Sequence, residues 1–264
     1  MKIVACYSPK GGVGKTATAV NIAYLAAQQG KRTLLIDLDS QGASSFYFRV
    51  RAPKKRNWGK HMLKAYGAIL EQVRESDYPG LDIVPAHLSF RNFDLLLESI
   101  GKRKNRLRRA LKGLRADYDL IILDCPPTIS RLAENIFAAA DIILLPVIPT
   151  PLSQRTFSLL LKFFKQQDLS KNKLVPFFTM VDSRKQLHHT TAIGMRRQHK
   201  YILRHAVPYS ADVEKMGVYR APLDCFARSR PASKAYTALW KEIESILNPQ
   251  EHIKKETDER NEKK

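Results

Sequence analysis

Short apolar segments alternate along the chain with longer amphipathic stretches. Six apolar segments have the length of buried strands and are predicted as such: Lys2–Tyr7, Thr33–Ile36, Leu81–Pro85, Leu120–Leu123, Ile142–Leu145 and Val175–Met180. Helical patterns separate them, including one near residues 131–140 and a last one from about Ala232 to Leu247. Strands that alternate with helices are typical of a parallel sheet covered on both faces. The pattern predicts an α/β fold with a mostly parallel twisted sheet and helices on both faces.

The same pattern predicts a single domain. No internal repeat and no linker interrupts residues 1–249, and 264 residues are enough for one large core. Residues 250–264 mix both charges with almost no apolar side chains, which predicts a disordered C-terminal tail.

Several negative features point to a cytoplasmic location. No apolar run approaches the roughly 20 residues that a membrane span needs, and no signal peptide precedes the first strand. The three cysteines, Cys6, Cys125 and Cys225, lie far apart without a CxxC pair, as expected of a reduced protein.

A glycine-rich segment follows the first predicted strand and precedes the first predicted helix. It reads Lys-Gly-Gly-Val-Gly-Lys-Thr over residues 10–16, and this strand–loop–helix context is the one that a phosphate-binding loop requires. Glycines let the backbone approach an anion closely, and amides at the helix start favour negative charge. We expect Lys15 to contact the β- and γ-phosphates and the Thr16 hydroxyl to ligate Mg²⁺. The predicted nucleotide-binding residues here are Lys10, Gly11, Gly12, Val13, Gly14, Lys15, Thr16 and Ala17.

This loop departs from the strict Walker A pattern at its first position. Pro9 stands where that pattern has glycine, and an extra lysine, Lys10, stands next to it. An alternative interpretation is a glycine-rich turn that carries incidental lysines.

Three aspartates follow predicted strands. Asp37 and Asp39 come at the end of the second strand, and Asp124 follows four apolar residues of a later one. Ligands of α/β sheets bind at the edge where parallel strands end, and an aspartate there can hold Mg²⁺ beside phosphates. The predicted metal-binding residues are Thr16, Asp37 and Asp124. Helix capping is the alternative role for Asp39 and Asp124.

The chain resembles the ParA/MinD family of deviant Walker A ATPases in three motifs. They are the two lysines around Gly-Gly-Val-Gly, the Asp-x-Asp-x-Gln-Gly segment that begins at Asp37, and the Asp-x-Pro-Pro segment that begins at Asp124. The resemblance runs from residue 1 to about 247. It implies the deviant Walker A type of P-loop NTPase fold, with ATP and Mg²⁺ as cofactors and ATP hydrolysis as the activity.

The resemblance also implies roles for individual residues. In that family the first lysine reaches the partner subunit's ATP, so Lys10 is expected to be catalytic together with Lys15. Asp39 corresponds to the aspartate that polarises the attacking water, and Asp37 is expected to orient Mg²⁺ or its waters. Met180 and Pro208 are expected near adenine, although both could equally be ordinary core or turn residues.

Two positions depart from the family. Ala17 stands where a second threonine is usual, which removes one hydroxyl but keeps the phosphate-binding amide. The segment after Pro208 lacks the arginine that many ParA proteins carry there, so a DNA contact by that arginine cannot be transferred.

Positive charge is both large and clustered. The formal net charge is +20, and basic residues concentrate in residues 49–60, 102–115 and 184–205. Such an excess favours nucleic acid first and anionic membranes second. In the second cluster, Leu107, Leu111 and Leu114 are placed to form the buried stripe of a helix. Each cluster has a plain alternative, a solvated helix face.

The third cluster is the predicted DNA surface, because ParA dimers usually touch DNA beyond the sixth strand. Arg197, Lys200 and Arg204 fall at spacings that allow one basic helical face. The predicted DNA-binding residues are Arg196, Arg197, Lys200, Arg204, Arg228, Arg230 and Lys234. Contacts of this kind go to phosphates and depend little on sequence.

These expectations combine into a ParA-type switch. An ATP-dependent homodimer would bind nonspecific double-stranded DNA on the nucleoid, and a ParB-like or cargo-adaptor protein would stimulate slow hydrolysis and release. The alternatives are a MinD-type membrane ATPase, a metabolic ATP-dependent enzyme on the same loop, and a nonenzymatic nucleotide-binding regulator. The tail at residues 250–264 has one apolar residue, Ile253, so this pattern argues against membrane attachment. The sequence does not identify the cargo.

Overall fold

A parallel sheet forms the centre of the computed structural model, which describes residues 1–51, 66–99 and 105–249. Its seven strands are β1 (Lys2–Cys6), β2 (Thr33–Asp37), β3 (Arg74–Glu75), β4 (Leu81–Val84), β5 (Leu120–Asp124), β6 (Ile142–Val147) and β7 (Leu174–Phe178). The spatial order is β3-β4-β2-β5-β1-β6-β7. The pairings are parallel apart from that of β3 with β4, which is antiparallel. All six predicted strands are confirmed.

Helices connect and cover the strands. In chain order they are α1 (Lys15–Gln28), α2 (Ala43–Tyr47), α3 (Tyr66–Leu70), α4 (Phe93–Ser99), α5 (Arg106–Lys112), α6 (Arg131–Ala139), α7 (Pro151–Gln166), α8 (Gln186–Gln198), α9 (Ala211–Tyr219), α10 (Asp224–Ala227) and α11 (Pro231–Leu247). Short 3-10 turns occur at Leu88–Asn92, Gly113–Ala116 and Lys171–Lys173. The helices predicted near 131–140 and 232–247 are confirmed.

Local sequence explains several helix starts. The hydroxyl of Thr150 accepts a hydrogen bond from the Ser153 amide, and that of Ser210 accepts one from the Asp212 amide. Such caps satisfy amides that have no partner within the helix. At α5 the predicted apolar stripe is confirmed, because Leu107, Leu111 and Leu114 are fully buried.

The hydrophobic core lies on both faces of the sheet. One face packs Tyr7 and Phe137 edge to face, with ring centroids 4.7 Å apart. The other face holds α1 and α11, and the Trp240 indole N–H donates to Gln29 Oε1 over 2.6 Å. Every residue of β2 and β5 is buried, because helices cover both faces of these strands. Within the described residues, no helix is both long and apolar enough to cross a membrane.

The two ends of the sheet differ: one is a short strand and the other is covered by the chain. The two-residue strand β3 ends one side with charged side chains. At the other side Pro176 of β7 has no amide hydrogen, and its carbonyl accepts from the Leu203 amide over 2.9 Å. The Val207 amide donates to Phe178 O over 2.9 Å, so the chain after α8 covers this edge.

The order of strands fixes where a ligand can bind. The strand β1 lies between β5 and β6, and the connections on its two sides lead in opposite directions. Such a switch point opens a crevice at the carboxyl ends of the strands. The loop after β1 and the aspartates that end β2 and β5 meet at this edge.

Candidate functional site

The loop between β1 and α1 has the backbone shape of an anion cradle. Gly12 and Gly14 have φ values of 69° and 85°, in the left-handed region that favours glycine. Gly14 is the N-cap of α1, so the free amides of the helix start face the loop. Val13 and Ala17 are buried, while Gly11 and Gly12 are exposed.

The two lysines of the loop have different surroundings. Lys15 is 8% exposed, and its ammonium lies 3.4 Å from Lys10 O, to which it donates. Burial lowers the pKa of Lys15, whereas the negative charges of Asp124 and Asp39 act to raise it. The Lys10 side chain is half-buried and makes no hydrogen bond or ion pair with any residue that the structure describes.

Asp37 and Asp124 lie side by side, because they are paired in the register of β2 and β5. Asp124 Oδ2 accepts a hydrogen bond of 2.7 Å from the Ser44 hydroxyl, and the Thr16 hydroxyl also stabilises its charged form. Asp37 Oδ2 accepts from the amide and the hydroxyl of Ser45, over 2.9 and 2.7 Å. Burial raises the pKa of both carboxyls, and the charge of Asp124 raises that of Asp37 further.

These carboxylates suit a divalent cation. The Oδ1 atoms of Asp37 and Asp124 are buried and have no hydrogen-bond partner, an arrangement that is costly unless a cation or water binds them. Two carboxylates and the Thr16 hydroxyl are the oxygen donors that Mg²⁺ prefers. The described residues contain no group of three His, Cys, Asp or Glu side chains arranged as a metal site. Phosphate and water oxygens would therefore complete the coordination.

Asp39 lies beside this centre without being part of the buried pair. Its Oδ1 accepts from the Gln41 amide over 3.0 Å, and its carbonyl accepts from the Gly42 amide. The carboxylate acts electrostatically on Lys15, Asp37 and Asp124, so it is close to all of them. It is only half-buried, and a partly accessible carboxylate of this kind can bind a water molecule.

Two functional residues were missed by sequence reasoning. Ser44 and Ser45 supply the hydroxyls that hold Asp124 and Asp37 in place. The only signal was the pair of hydroxyls that follows the Asp-x-Asp-x-Gln-Gly segment. That signal depends on α2 folding back towards the strand ends, which the periodicity of five residues does not predict.

Of the two predicted adenine residues, Met180 lies near the phosphate loop, and Pro208 lies near Met180. Met180 has a φ of 52°, and its Cε lies 3.9 Å from the position that a Cβ on Gly14 would take. Pro208 pairs with Val181, the residue after Met180, in an isolated parallel bridge. Adenine contact by Met180 and Pro208 stays a prediction.

The structure brings part of the predicted DNA surface together in one groove. Arg204, Arg228 and Lys234 line an open groove beside α11, together with Lys241, which was not predicted. Glu242 also lines it, but its carboxylate already accepts from the Arg204 and His205 amides and pairs with the His205 ring. Arg228 is paired with Asp224 over 2.9 Å at the groove, and the Arg228 side chain stays exposed to solvent.

The other predicted DNA residues lie differently. The α8 helix ends at Gln198, so the expected helical face of Arg197, Lys200 and Arg204 is wrong. His199 leaves the helix with a φ of −132°, and the ring packs edge to face on Phe157, 5.1 Å between centroids. Arg197 and Lys200 are exposed.

Arg196 and Arg230 have partners within the protein. The Arg196 guanidinium is half-buried over the Phe178 ring, and it donates to the carbonyls of Ile202 and Arg204. Arg196 therefore holds the chain after α8 rather than facing solvent. Arg230 pairs with Asp212 over 3.1 Å, at the start of α9.

Comparison with known proteins identifies the family. A family model described as an AAA domain matches residues 1–176. The chromosome partitioning protein ParA of Myxococcus xanthus is 30% identical over 249 residues, which cover 92% of this chain and 87% of that protein. The sporulation initiation inhibitor protein Soj of Bacillus subtilis is 31% identical over 190 residues, 70% of this chain and 75% of Soj. The chain belongs to the ParA/MinD family of deviant Walker A ATPases.

A solved structure supports the fold assignment. Cobyrinic acid a,c-diamide synthase from Mycobacterium smegmatis, with bound ATP analog and magnesium, superposes with a TM-score of 0.77. The alignment covers 94% of each chain at 24% identity, so this likeness shows the fold alone. The ParA/MinD membership confirms the family predicted from the two lysines, and the α/β P-loop fold predicted from the strand pattern.

Proposed function

We propose that the protein is a ParA-type ATPase in which ATP controls dimerisation and binding to DNA. The observation that carries this proposal is the half-buried Lys10 side chain, which has no partner among the described residues although it starts the phosphate loop. Lys15 already occupies the position beside Asp124 within the same subunit. A second lysine at this place has a use when it reaches the nucleotide of another copy.

The nucleotide site fits Mg²⁺ and ATP. The loop amides and Lys15 would bind the phosphates. Thr16 and Asp124 would hold Mg²⁺, with Asp37 next to Asp124. When bound, Mg²⁺ neutralises charge on the phosphate oxygens. In this proposal Asp39 would orient water towards the γ-phosphate. The ATP analog and magnesium in the M. smegmatis synthase support this choice of ligands.

The basic groove fits the phosphate backbone of double-stranded DNA. Four basic residues line it: Arg204, Arg228, Lys234 and Lys241. Further positive charge comes from exposed Arg197 and Lys200, at the end of α8 and just after it. With a net charge of +20, contacts to phosphates are favoured and need no base recognition. We therefore place the protein in the cytoplasm on the nucleoid.

The proposed cycle ends when a partner protein stimulates hydrolysis and the dimer leaves the DNA. A ParB-like protein or a cargo adaptor would have this role, in segregation of a plasmid or chromosome or in positioning of a protein cargo. The relatives include a chromosome partitioning protein and the cell division protein PomZ, both of Myxococcus xanthus. The tail that a MinD-type membrane ATPase would use, and that was predicted to be disordered, lies outside the described residues.

The test compares binding of random-sequence duplex in a Mg²⁺-bound non-hydrolysable ATP analogue and in Mg²⁺–ADP. We expect tight binding in a non-hydrolysable ATP analogue, weak binding in ADP, and a steep loss of affinity as salt rises. Light scattering in the same buffers should show a dimer only with the ATP analogue. Equal DNA affinity in both nucleotides would contradict the proposed switch.

A further inference from the structure

The short helix α2 lies between the candidate metal site and the C-terminal helices. Its first half is bound to the metal-site carboxylates, through Ser44 to Asp124 and through Ser45 to Asp37. The Ser45 hydroxyl also accepts a hydrogen bond of 2.8 Å from the Ala86 amide. Any change in what Asp124 and Asp37 bind therefore acts directly on α2.

Two arginines hold the other end of α2 against the turn between α9 and α10. Arg220 donates to Phe46 O over 2.9 Å, and its guanidinium lies 4.5 Å from the centroid of the Phe46 ring. In the opposite direction, Arg49 donates to Tyr219 O over 3.0 Å and pairs with Asp77 over 2.8 Å. We name Arg49 and Arg220 the arginine clamp, because each holds a carbonyl of the other's segment.

Both clamp residues have a left-handed backbone at the C-terminal end of a helix. Arg49 and Arg220 have φ values of 58° and 49°, in the left-handed region that is rare for residues other than glycine, asparagine and aspartate. Such conformations persist where surrounding contacts determine them. Arg49 and Arg220 follow the last turns of α2 and α9, where this conformation is common, and the Arg49 amide also donates to Phe46 O over 3.2 Å.

The turn held by the clamp leads to the basic surface. The Tyr219 ring packs on Phe226 of α10, with centroids 4.3 Å apart. Asp224 of α10 binds Arg228, and Asp212 of α9 binds Arg230. The two helices beside the turn thus position two arginines of the proposed DNA surface.

We propose that the arginine clamp couples nucleotide occupancy to DNA affinity. When the phosphate site fills, Asp124 exchanges its hydrogen bond from Ser44 for other ligands, and α2 moves. Because α2 has only five residues, Phe46 moves with Ser44, and the clamp passes this displacement to α9 and α10. The inference rests on the proposed function, since it explains how ATP and DNA binding communicate within one subunit.

The left-handed backbone at both positions allows each side chain to be removed without straining the backbone. Arg220→Gly and Arg49→Gly each remove one side of the clamp, while glycine suits the φ that the backbone already has. Both variants are therefore expected to fold, which thermal unfolding checks. Arg115→Ala removes the same charge from an exposed position on the 3-10 turn after α5, and it serves as the matched control.

The measurement is the ratio of the duplex DNA Kd in Mg²⁺–ADP to that in a Mg²⁺-bound non-hydrolysable ATP analogue. Coupling between two sites is typically about 5–150-fold, and we expect each glycine variant to bring the wild-type ratio close to one. The affinity of the analogue without DNA should stay unchanged. Because coupling is reciprocal, DNA should also stop tightening analogue binding in these variants, by the same factor. Arg115→Ala should keep the wild-type ratio.

Two results would overturn the inference in distinguishable ways. A wild-type ratio of one removes the proposed function together with the clamp. A large wild-type ratio that Arg220→Gly and Arg49→Gly leave intact removes the clamp alone. The double variant gives a further check, since two residues of one clamp should show less than the summed loss of the single variants.

Discussion

At the scale of single residues, the phosphate loop separates two lysines that look alike in sequence. Lys15 is buried beside Asp124 and donates to Lys10 O, so its position is determined within the subunit. The Lys10 side chain is half-buried and has no contact of this kind within the described ranges. The two side chains should therefore differ in what their removal does.

Replacing Lys10 with alanine should separate hydrolysis from binding. We expect ATP turnover to fall at least about 10²-fold, since a charge supplied across an interface to a transferred phosphoryl group is worth 10³–10⁵ in other NTPases. Binding of a fluorescent ATP analogue should be nearly unchanged, whereas Lys15→Ala should weaken that binding itself. Concentration-dependent turnover that persists in Lys10→Ala would exclude a role across the dimer.

Replacing Ser45 with alanine should destabilise the fold. The change removes the hydroxyl that donates to buried Asp37 and accepts from the Ala86 amide. Leaving buried polar groups unsatisfied costs about 1–3 kcal/mol in the free energy of unfolding, which urea titration measures. Ser158→Ala, at an exposed position of α7, is the control and should change little. Equal stability of both variants would show that Asp37 does not depend on Ser45.

The sequence predicted the carboxylates of this site but not the groups that hold them. Asp37 and Asp124 follow apolar strands, and parallel strands bring their ends to one edge, so their proximity follows from a local pattern. The Ser44 and Ser45 contacts depend on the path of the chain after Gly42, where φ is 67°. No periodicity encodes that path.

At the scale of elements, the chain after β7 differs most from its sequence pattern. Basic residues at helical spacing suggested one long face, yet α8 ends at Gln198. The pattern could not show that the chain would turn back to cover β7, because that turn satisfies amides and carbonyls at the sheet edge. Strand β3 was missed for a related reason, since two residues carry no period.

Arg196 should act on stability rather than on DNA affinity. Arg196→Ala removes hydrogen bonds to Ile202 O and Arg204 O and a contact with the Phe178 ring. We expect a loss of about 1–2 kcal/mol in the free energy of unfolding from the lost charged hydrogen bonds and the cation–π contact. Arg204→Ala is the paired variant and should show the reverse, weaker DNA binding with little loss of stability. A large loss of DNA affinity in Arg196→Ala, without destabilisation, would instead show that this residue contacts DNA.

At the scale of the whole molecule, the basic clusters differ in how well they are placed to bind DNA. Arg204, Arg228 and Lys234 are not consecutive in the sequence, yet they share one groove. The cluster at Lys102–Arg115 is denser in the sequence, but its described part is the helix α5 and a 3-10 turn, whose leucines face the core. Charge in the groove should therefore matter more for DNA than charge on α5.

A triple alanine variant of Arg204, Arg228 and Lys234 tests this difference. Each lost phosphate contact should reduce the slope of log K against log salt by about 0.9, so the slope should fall by about 2–3. The control, a triple alanine variant of Arg108, Arg109 and Lys112, loses the same charge from α5. The measurement is a salt titration of duplex binding in the ATP analogue. Equal slopes in the two variants would show that only total charge matters.

The two edges of the sheet, one short and one covered, limit how a stimulating partner can attach. The short β3 offers two residues on one side, and on the other side the chain at Leu203 and Val207 already bonds to β7. An extended peptide that joins a sheet needs a row of free backbone groups, which these two edges do not provide. Such a partner would therefore be recognised by side chains that helices and turns present. The shape of that surface changes when those helices move.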